Sequence, residues 1–256
     1  MKRILAFALL VLMAGPAPAL IVDVTVDGSD AIFLAGRTDV TIPDAALPWT
    51  GPGTHLDRHF GPTPEEIKET LPPIISVAAG DVIRALDPAV GGVNFFNGFG
   101  PPFFGPSGDT TGVSDLMSLD GISGYRGPLG ALVGVFLDDS IPSSGPAPST
   151  LDFIGGGIDF TGLTPLLNQI FYIGDGINSG GDFQTFTAPT GATRLALGIP
   201  DGFAFVGPPG AYDDNDGSYR VRIGINEIPV LTPEPGTLAL MAFGLVAAGR
   251  YSRRQV

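Results

Sequence analysis

Three carboxylates and one amide occupy the four consecutive positions 213–216. Side-chain oxygens of this kind are the ligands that Ca²⁺ prefers. The segment is not an EF-hand, because aligning Gly217 with the sixth position of that loop would put Tyr212 and Ile223 where acids are required. Carboxylates about 5 Å apart in water repel each other by only about 0.8 kcal/mol, so an exposed cluster needs no ion. The cluster alone therefore leaves two possibilities open, a half-buried calcium loop and a solvated acidic loop.

A wider pattern around this segment resembles a known family. It reads Pro209-Gly210-x-Tyr212-x-Asp214-Asn215-x-Gly217-Ser218, followed by an aromatic residue, Val221 and Ile223. This order is similar to the last loop and strand of the small calcium-dependent galactose-binding bacterial lectins. Weaker similarities lie within residues 74–83 and 105–133, so the resemblance covers about residues 74–225.

The resemblance implies that this loop holds a calcium ion and that the ion binds two vicinal hydroxyls of a sugar directly. It implies side-chain ligands at Asp214 and Asn215 and a carbonyl ligand at Ala211. A further carbonyl ligand would come from near Gly98 or Phe99.

Two departures from the family pattern matter for the predicted site. The family has an aspartate two residues before its Pro-Gly pair, whereas here the nearest upstream acid is Asp201, eight residues before Pro209. Asp201 is our candidate for this ligand, with residues 202–208 as an insertion. Residues 110–122, where the family reads sugar hydroxyls with histidine and glutamine, contain neither residue type, so the identity of the sugar stays open.

A Gly/Pro-rich loop supplies aromatic side chains that suit a sugar-binding surface. Its phenylalanines are Phe95, Phe96, Phe99, Phe103 and Phe104. Such rings either stack on the apolar face of a sugar or pack back onto the core. We predict sugar contacts at Phe99, Phe103 and Tyr212.

Other reactive chemistry has few candidates in this chain. There is no cysteine, which removes disulfides, thiolate metal sites and Cys nucleophiles together. The two histidines, His55 and His59, have the spacing of ligands on one helix face, but they lie in a Pro/Gly-rich loop, which favours a solvated loop over a zinc site. No GxSxG nucleophile motif is present. We therefore predict no enzymatic activity, and a glycan-degrading enzyme remains the alternative.

The N-terminal residues have the three parts of a secretory signal peptide. A basic start at residues 1–3 precedes eleven mostly apolar residues, 4–14, and a small-x-small site at Ala17-Pro18-Ala19. We predict a signal helix that is removed by cleavage after Ala19. Eleven residues are too few for a comfortable membrane span.

The C-terminal residues carry a second address signal. Pro233-Glu234-Pro235 precedes fourteen mostly apolar residues, 236–249, and then Arg250, Arg253 and Arg254. This tail resembles the PEP-CTERM sorting signal of exopolysaccharide-producing Gram-negative bacteria. The resemblance implies recognition by an exosortase at the inner membrane, followed by delivery to the outer surface or the extracellular matrix. An ordinary single-span anchor is the alternative, but fourteen helical residues reach only about 21 Å, against a bilayer core near 30 Å.

The remaining chain is strongly acidic. Residues 20–232 contain 25 acids and 8 bases, a net charge of −17. A charge of this sign argues against nucleic acid as a partner and favours cations or neutral ligands.

The elements that must position these residues are mostly strands. The chain has 38 glycines and 25 prolines, which separate short runs of Val, Ile, Phe and Thr and so indicate an all-β fold. Alternation from Val22 to Val26, the turn residue Gly28 and the apolar run Ile32 to Leu34 predict a first hairpin, and a capping pattern predicts one short helix, Pro64 to Thr70. Further strands are predicted over Ile74–Ala78, Val82–Leu86, Ala131–Leu137, Leu151–Phe153, Gln169–Ile173, Gln184–Thr187, Arg194–Gly198 and Ser218–Ile225. The residues from Gly91 to Gly112 and from Pro142 to Thr150 are predicted to be long loops.

These patterns predict a single β-sandwich, jelly-roll-like in arrangement. The expected segments are a signal peptide (1–19), a hairpin, loop and short helix packed on the sandwich (20–72), a lectin-like sandwich (73–232) and the sorting tail (233–256). The function that follows is an exported surface or matrix protein that binds an exopolysaccharide through Ca²⁺. The alternative is a structural matrix protein in which Ca²⁺ only rigidifies a loop, and neither specifies an oligomeric state.

Overall fold

The computed structural model describes residues 19–39, 69–86, 89–96, 101–212 and 215–227. These residues form thirteen strands and three short 3-10 segments, the latter at Ile32–Leu34, Pro142–Ser144 and Phe203–Phe205. The strands are β1 (Leu20–Asp27), β2 (Ile74–Ser76), β3 (Val82–Ala85), β4 (Val90–Asn94), β5 (Asp109–Leu116), β6 (Tyr125–Leu129), β7 (Val133–Leu137), β8 (Gly162–Leu163), β9 (Ile170–Tyr172), β10 (Thr185–Thr187), β11 (Arg194–Gly198), β12 (Val206–Gly207) and β13 (Asp216–Ile225).

The largest sheet is built around β13, its longest strand. β1 pairs antiparallel with β13 over eight residues, from Leu20 opposite Ile225 to Asp27 opposite Ser218. The other edge of β13 is shared, because β4 pairs with its first half and β3 with its second half. β10 and then β8 extend the sheet beyond β3, so six strands belong to it.

Two smaller sheets complete the described fold. Four strands lie in the order β2-β11-β7-β9, and three in the order β12-β5-β6. All five residues of β7 are buried, which places this strand at the centre of the protein. Buried side chains from all three sheets and from the 3-10 segment Ile32–Leu34 form one continuous hydrophobic core.

The prediction of an all-β fold is confirmed, and the described strands form three sheets. The jelly-roll arrangement stays a prediction. The strands expected around Ile75, Ile83, Val135, Phe171, Phe186, Leu195 and Val221 are present, most of them with shorter ends.

Several predicted elements are wrong. Residues 32–34 do not pair with β1 in a hairpin, because they form a buried 3-10 turn while β1 pairs with β13. Leu151–Phe153 is not a strand and makes only an isolated bridge between Asp152 and Arg126. The predicted loop from 91 to 112 contains most of β4 and the start of β5. The strands β6, β8 and β12 were not predicted either.

Some predictions fall on residues that the structure does not describe. Of the predicted helix from 64 to 70, only Glu69 and Thr70 are described; neither is helical, and Thr70 forms a bridge with Asp30. His55, His59, most of the signal peptide and the whole sorting tail lie outside the described residues. Within the described ranges, no helix is long and apolar enough to cross a membrane.

Candidate metal and glycan site

Tyr212 fastens the predicted calcium loop to the segment that follows β11. Its hydroxyl donates to the carbonyl oxygen of Ile199 (2.7 Å) and accepts from the backbone N–H of Asp201 (3.1 Å). The N–H of Gly210 donates to the carbonyl oxygen of Asp201 at 3.1 Å. These three bonds bring Asp201 against residues 210–212 in spite of the inserted segment between them.

Asp201 presents a buried carboxylate at this junction. Its side chain is 2% exposed, and its Oδ1 accepts a hydrogen bond from the N–H of Gly202 at 2.7 Å. Asp201 and Ala211 line the same pocket, which has a volume of about 410 Å³. Burial raises the pKa of the neighbouring Tyr212 hydroxyl well above its ordinary value, and the charge of Asp201 adds to this shift. The tyrosine is therefore a neutral hydrogen-bonding group at every physiological pH.

Asn215 lies at the end of the same loop and is also buried, with 6% of its surface exposed. Its Nδ2 donates to the carbonyl oxygen of Gly28 at 2.8 Å, and its backbone N–H donates to the carbonyl oxygen of Tyr212 at 3.2 Å. Its Oδ1 has no hydrogen-bond donor among the described residues. A buried amide oxygen without a donor is destabilising unless a cation, a water or another group supplies the missing interaction.

The backbone around the pocket is strained. Ala204, Phe205 and Ala211 have φ values of 54°, 59° and 63°. Residues other than glycine pay about 1 to 2 kcal/mol for this left-handed conformation. Three such residues around one pocket show that its shape is held by the surrounding packing.

Aromatic rings form one wall of the pocket. Phe95 is buried, and its ring centroid lies 4.9 Å from that of Phe96 and 5.8 Å from that of Phe205. Phe96 is 37% exposed and lines the pocket together with Phe203 and Phe205. The pocket thus combines a carboxylate, a turn of exposed backbone and aromatic surface.

Phe103 and Phe104 point in opposite directions from a segment that is bridged to β4. The backbone of Phe104 exchanges two hydrogen bonds with Val93, at 2.9 and 3.0 Å. The Phe104 ring joins the aromatic cluster, 5.0 Å from Phe95 between centroids. Phe103 is 46% exposed and packs over Gly92 and Gly217, whose missing side chains leave room for its ring.

The structure brings together part of the predicted site. Asp201 and Ala211 share a pocket, Asn215 ends the loop that begins there, and Phe103 is exposed near the start of β13. Asp214 and Phe99 lie outside the described residues. The described residues contain no group of three or more His, Cys, Asp or Glu side chains placed to hold a metal ion.

Tyr212 needs a correction. It was predicted to contact the sugar, but its side chain is fully buried, and a buried ring cannot stack on a ligand. Its hydroxyl instead accepts from the N–H of Asp201 and donates to the carbonyl oxygen of Ile199, which holds the backbone of Asp201 against the loop. The sequence analysis also missed Phe203 and Phe205, which lie in the inserted segment and line the pocket. The spacing of the two phenylalanines around one alanine, next to a glycine-rich turn, is the only signal that could have indicated them.

Comparison with known proteins identifies the C-terminal tail. Residues 231–254 match the PEP-CTERM protein-sorting motif. This motif indicates an exported protein of Gram-negative bacteria that is retained at the membrane by its C-terminal signal and processed by an exosortase. No curated protein and no solved structure matches the chain. The lectin resemblance of the body therefore has no support from a relative.

Proposed function

We propose that the protein is a non-enzymatic component of the cell surface or the extracellular matrix that binds Ca²⁺ and, through it, the producer's own exopolysaccharide, as in a biofilm. The observation that carries the proposal is the pocket shared by Asp201, Ala211 and Phe96. It combines oxygen ligands with an exposed aromatic ring, the two kinds of group that calcium-dependent sugar binding requires.

The residues that would hold the ion are Asp201, Asp214 and Asn215 through their side chains and Ala211 through its carbonyl. The Asn215 Oδ1, buried without a donor among the described residues, has the chemistry of a calcium ligand. A bound Ca²⁺ offsets the charge of the carboxylates and offers open coordination positions to sugar hydroxyls. The protein's part is to hold the ligands in place, which Tyr212 does for Asp201.

A structural role for the ion is the second candidate. The loop from 210 to 215 connects Asp201 to Gly28 at the end of β1, through the bonds of Gly210 and Asn215. An ion that only rigidified this loop would stabilise the junction of two strands without recognising any sugar.

Thermal unfolding of the full-length protein, with Ca²⁺ or with EDTA, tests the calcium site. At a concentration 100 times the Kd, one site stabilises the folded state by about 2.7 kcal/mol. For a chain of this size, we expect the melting temperature to rise by about 5 to 11 °C. Asp214→Ala should abolish this rise, whereas Asp182→Ala, at an exposed acid elsewhere, should keep it. Equal melting in Ca²⁺ and EDTA would refute the site.

A glycan array separates the two roles. Binding to polysaccharides that EDTA abolishes supports calcium-dependent recognition. A calcium-dependent melting temperature without any glycan signal supports the structural role. Release of reducing ends from a polysaccharide would instead support the enzyme alternative.

A further inference from the structure

Arginine is concentrated on the outer face of the main sheet. Arg220 and Arg222 alternate with buried residues along β13, and Arg84 of β3 pairs with Gly224 on the same face. Residues 20–232 contain 25 acids but only 8 bases, and three of these bases lie on this face. Asp23 and Asp27 of β1 share this face, Arg222 pairs with Asp23, and Arg84 donates to the carbonyl oxygen of Glu227, so Arg220 is the base on this face that can attract an anion.

A groove runs across this face. It has a volume of about 430 Å³, and its lining includes Asp23, Thr25, Val90, Arg220 and Arg222. The strand register explains its shape, since Arg220 stands in one cross-strand row between Thr25 of β1 and Val90 of β4. The shorter side chains of Thr25 and Val90 on both sides leave the exposed Arg220 accessible along this groove.

The two arginines of β13 differ in their partners. Arg222 forms an ion pair with Asp23 across the strands, at 2.9 Å. Arg220 stands opposite Thr25 and Val90, neither of which is charged, and no ion pair of Arg220 is found among the described residues. Its guanidinium therefore keeps its donors for a ligand, and a carboxylate matches their planar geometry.

Phe103 lies one row further along the same face. Its Cβ is 3.0 Å from the point where a Cβ on Gly92 would stand, and Gly92 pairs with Ser218, two residues before Arg220. Rows on one face of a strand are about 6.6 to 6.8 Å apart. The backbone next to the exposed ring is fixed, because the following residue, Phe104, forms two backbone hydrogen bonds with Val93 of β4.

We propose that this face binds an acidic polysaccharide, with a uronate carboxylate on Arg220 and a sugar ring on Phe103. The aromatic ring selects a pyranose chain over other anions, since it offers a flat apolar surface beside the charge. The net charge of −17 over residues 20–232 repels densely charged polyanions and anionic membranes, and a polymer with one carboxylate per sugar meets less repulsion. The site uses none of the calcium ligands, although it shares Phe103 with the sugar contacts predicted for the calcium site.

Isothermal titration of the full-length protein with oligogalacturonate, in EDTA, tests this site. We expect binding that weakens with salt and falls about tenfold or more in Arg220→Ala and in Phe103→Ala, since each removes one main contact. Arg126→Ala, at an arginine on another sheet, is the matched control and should bind as the unmodified protein does. The melting temperatures of all variants should stay close to that of the unmodified protein.

Unchanged affinity in Arg220→Ala, equal binding of neutral dextran, or binding only with Ca²⁺ would each overturn the proposal. Binding to phosphatidylglycerol vesicles that Arg220→Ala abolishes would assign the face to lipid and overturn it as well. Loss of the calcium effect in Asp214→Ala with unchanged oligogalacturonate binding would show that the two sites are separate.

Discussion

Asp30 is a buried carboxyl group just after β1, and its hydrogen bonds only partly offset the cost of burying its charge. Its Oδ2 accepts from the N–H of Asp27 (2.8 Å), and its Oδ1 accepts from the hydroxyl of Thr70 (2.7 Å). Burial raises the pKa of Asp30 to about 6, against which these two hydrogen bonds act. The folded protein therefore holds this proton more tightly than the unfolded chain does.

This shift predicts a pH dependence of stability. Because the folded pKa of about 6 exceeds the unfolded value of 3.8, the contribution of Asp30 is fully present below pH 3.8 and is lost as the pH rises through 6. The loss should be on the order of 1 to 3 kcal/mol. In Asp30→Asn this component should disappear, so the difference in unfolding free energy between the two proteins should change between pH 4 and pH 7. Urea unfolding at both pH values measures it, and a difference independent of pH would contradict the raised pKa.

The residues of the candidate site were predictable to different degrees. Asp201 could be named because it is the nearest acid upstream of Pro209, although it lies six residues before the family position. The burial of Tyr212 could not be foreseen, because it depends on a tertiary contact. The Tyr212 hydroxyl bonds to Ile199, which directly follows β11. Sequence spacing indicates which oxygens can converge, but tertiary contacts decide which aromatic rings stay exposed.

At the level of elements, apolar alternation predicted the strands that line the core. β7 and β13 have continuous or alternating Val, Ile and Leu, and both are found. β4 and β5 were not predicted, because their sequences VGGVN and DTTGVSDL are rich in glycine and aspartate, which strands usually avoid. Their pairing comes from partners far along the chain, since β4 lies on β13. The 3-10 turn at 32–34 is as apolar as a strand, so composition could not distinguish the two.

The pairing of β4 with β13 depends on a glycine. Gly91 has a φ of 111°, and a Cβ at this position would lie 2.2 Å from the carbonyl oxygen of Ser218. Gly91→Ala should therefore destabilise the protein by about 3 kcal/mol or more, through both strain and a backbone clash. Gly80→Ala is a matched control, because Gly80 has a φ of 87° but nothing within 4 Å of the new methyl group. It should cost only about 1 to 2 kcal/mol. Equal losses in urea unfolding would show that the contact with Ser218 is unimportant.

At the scale of the whole molecule, β13 separates the candidate loop from the point where the chain continues toward the sorting tail. The ten residues of β13 span about 33 Å. The candidate loop precedes Asp216 at one end, and the chain continues toward the sorting tail from the other end. The candidate loop and the point from which the chain continues toward the tail therefore lie at opposite ends of β13.

The sorting motif predicts a change in location. Replacing Pro233, Glu234 and Pro235 by alanine should leave the unprocessed chain in the inner-membrane fraction, because the exosortase no longer recognises it. Cell fractionation and immunoblotting measure the change in size and location. Replacing Pro146 and Pro148, in a loop of the body, should leave sorting unchanged. Normal processing of the triple variant would contradict a role for the motif.

The pairing of β1 with β13 has a consequence for the order of events during export. β1 is synthesised and translocated almost two hundred residues ahead of its only described neighbour in the sheet. Until β13 emerges, the Val- and Ile-rich β1 has no partner along its length, and such a segment is prone to pair with other chains. Asp23 and Asp27 within it act as charged gatekeepers against this aggregation. The main sheet can therefore be completed only after β13, the last described strand, has been exported.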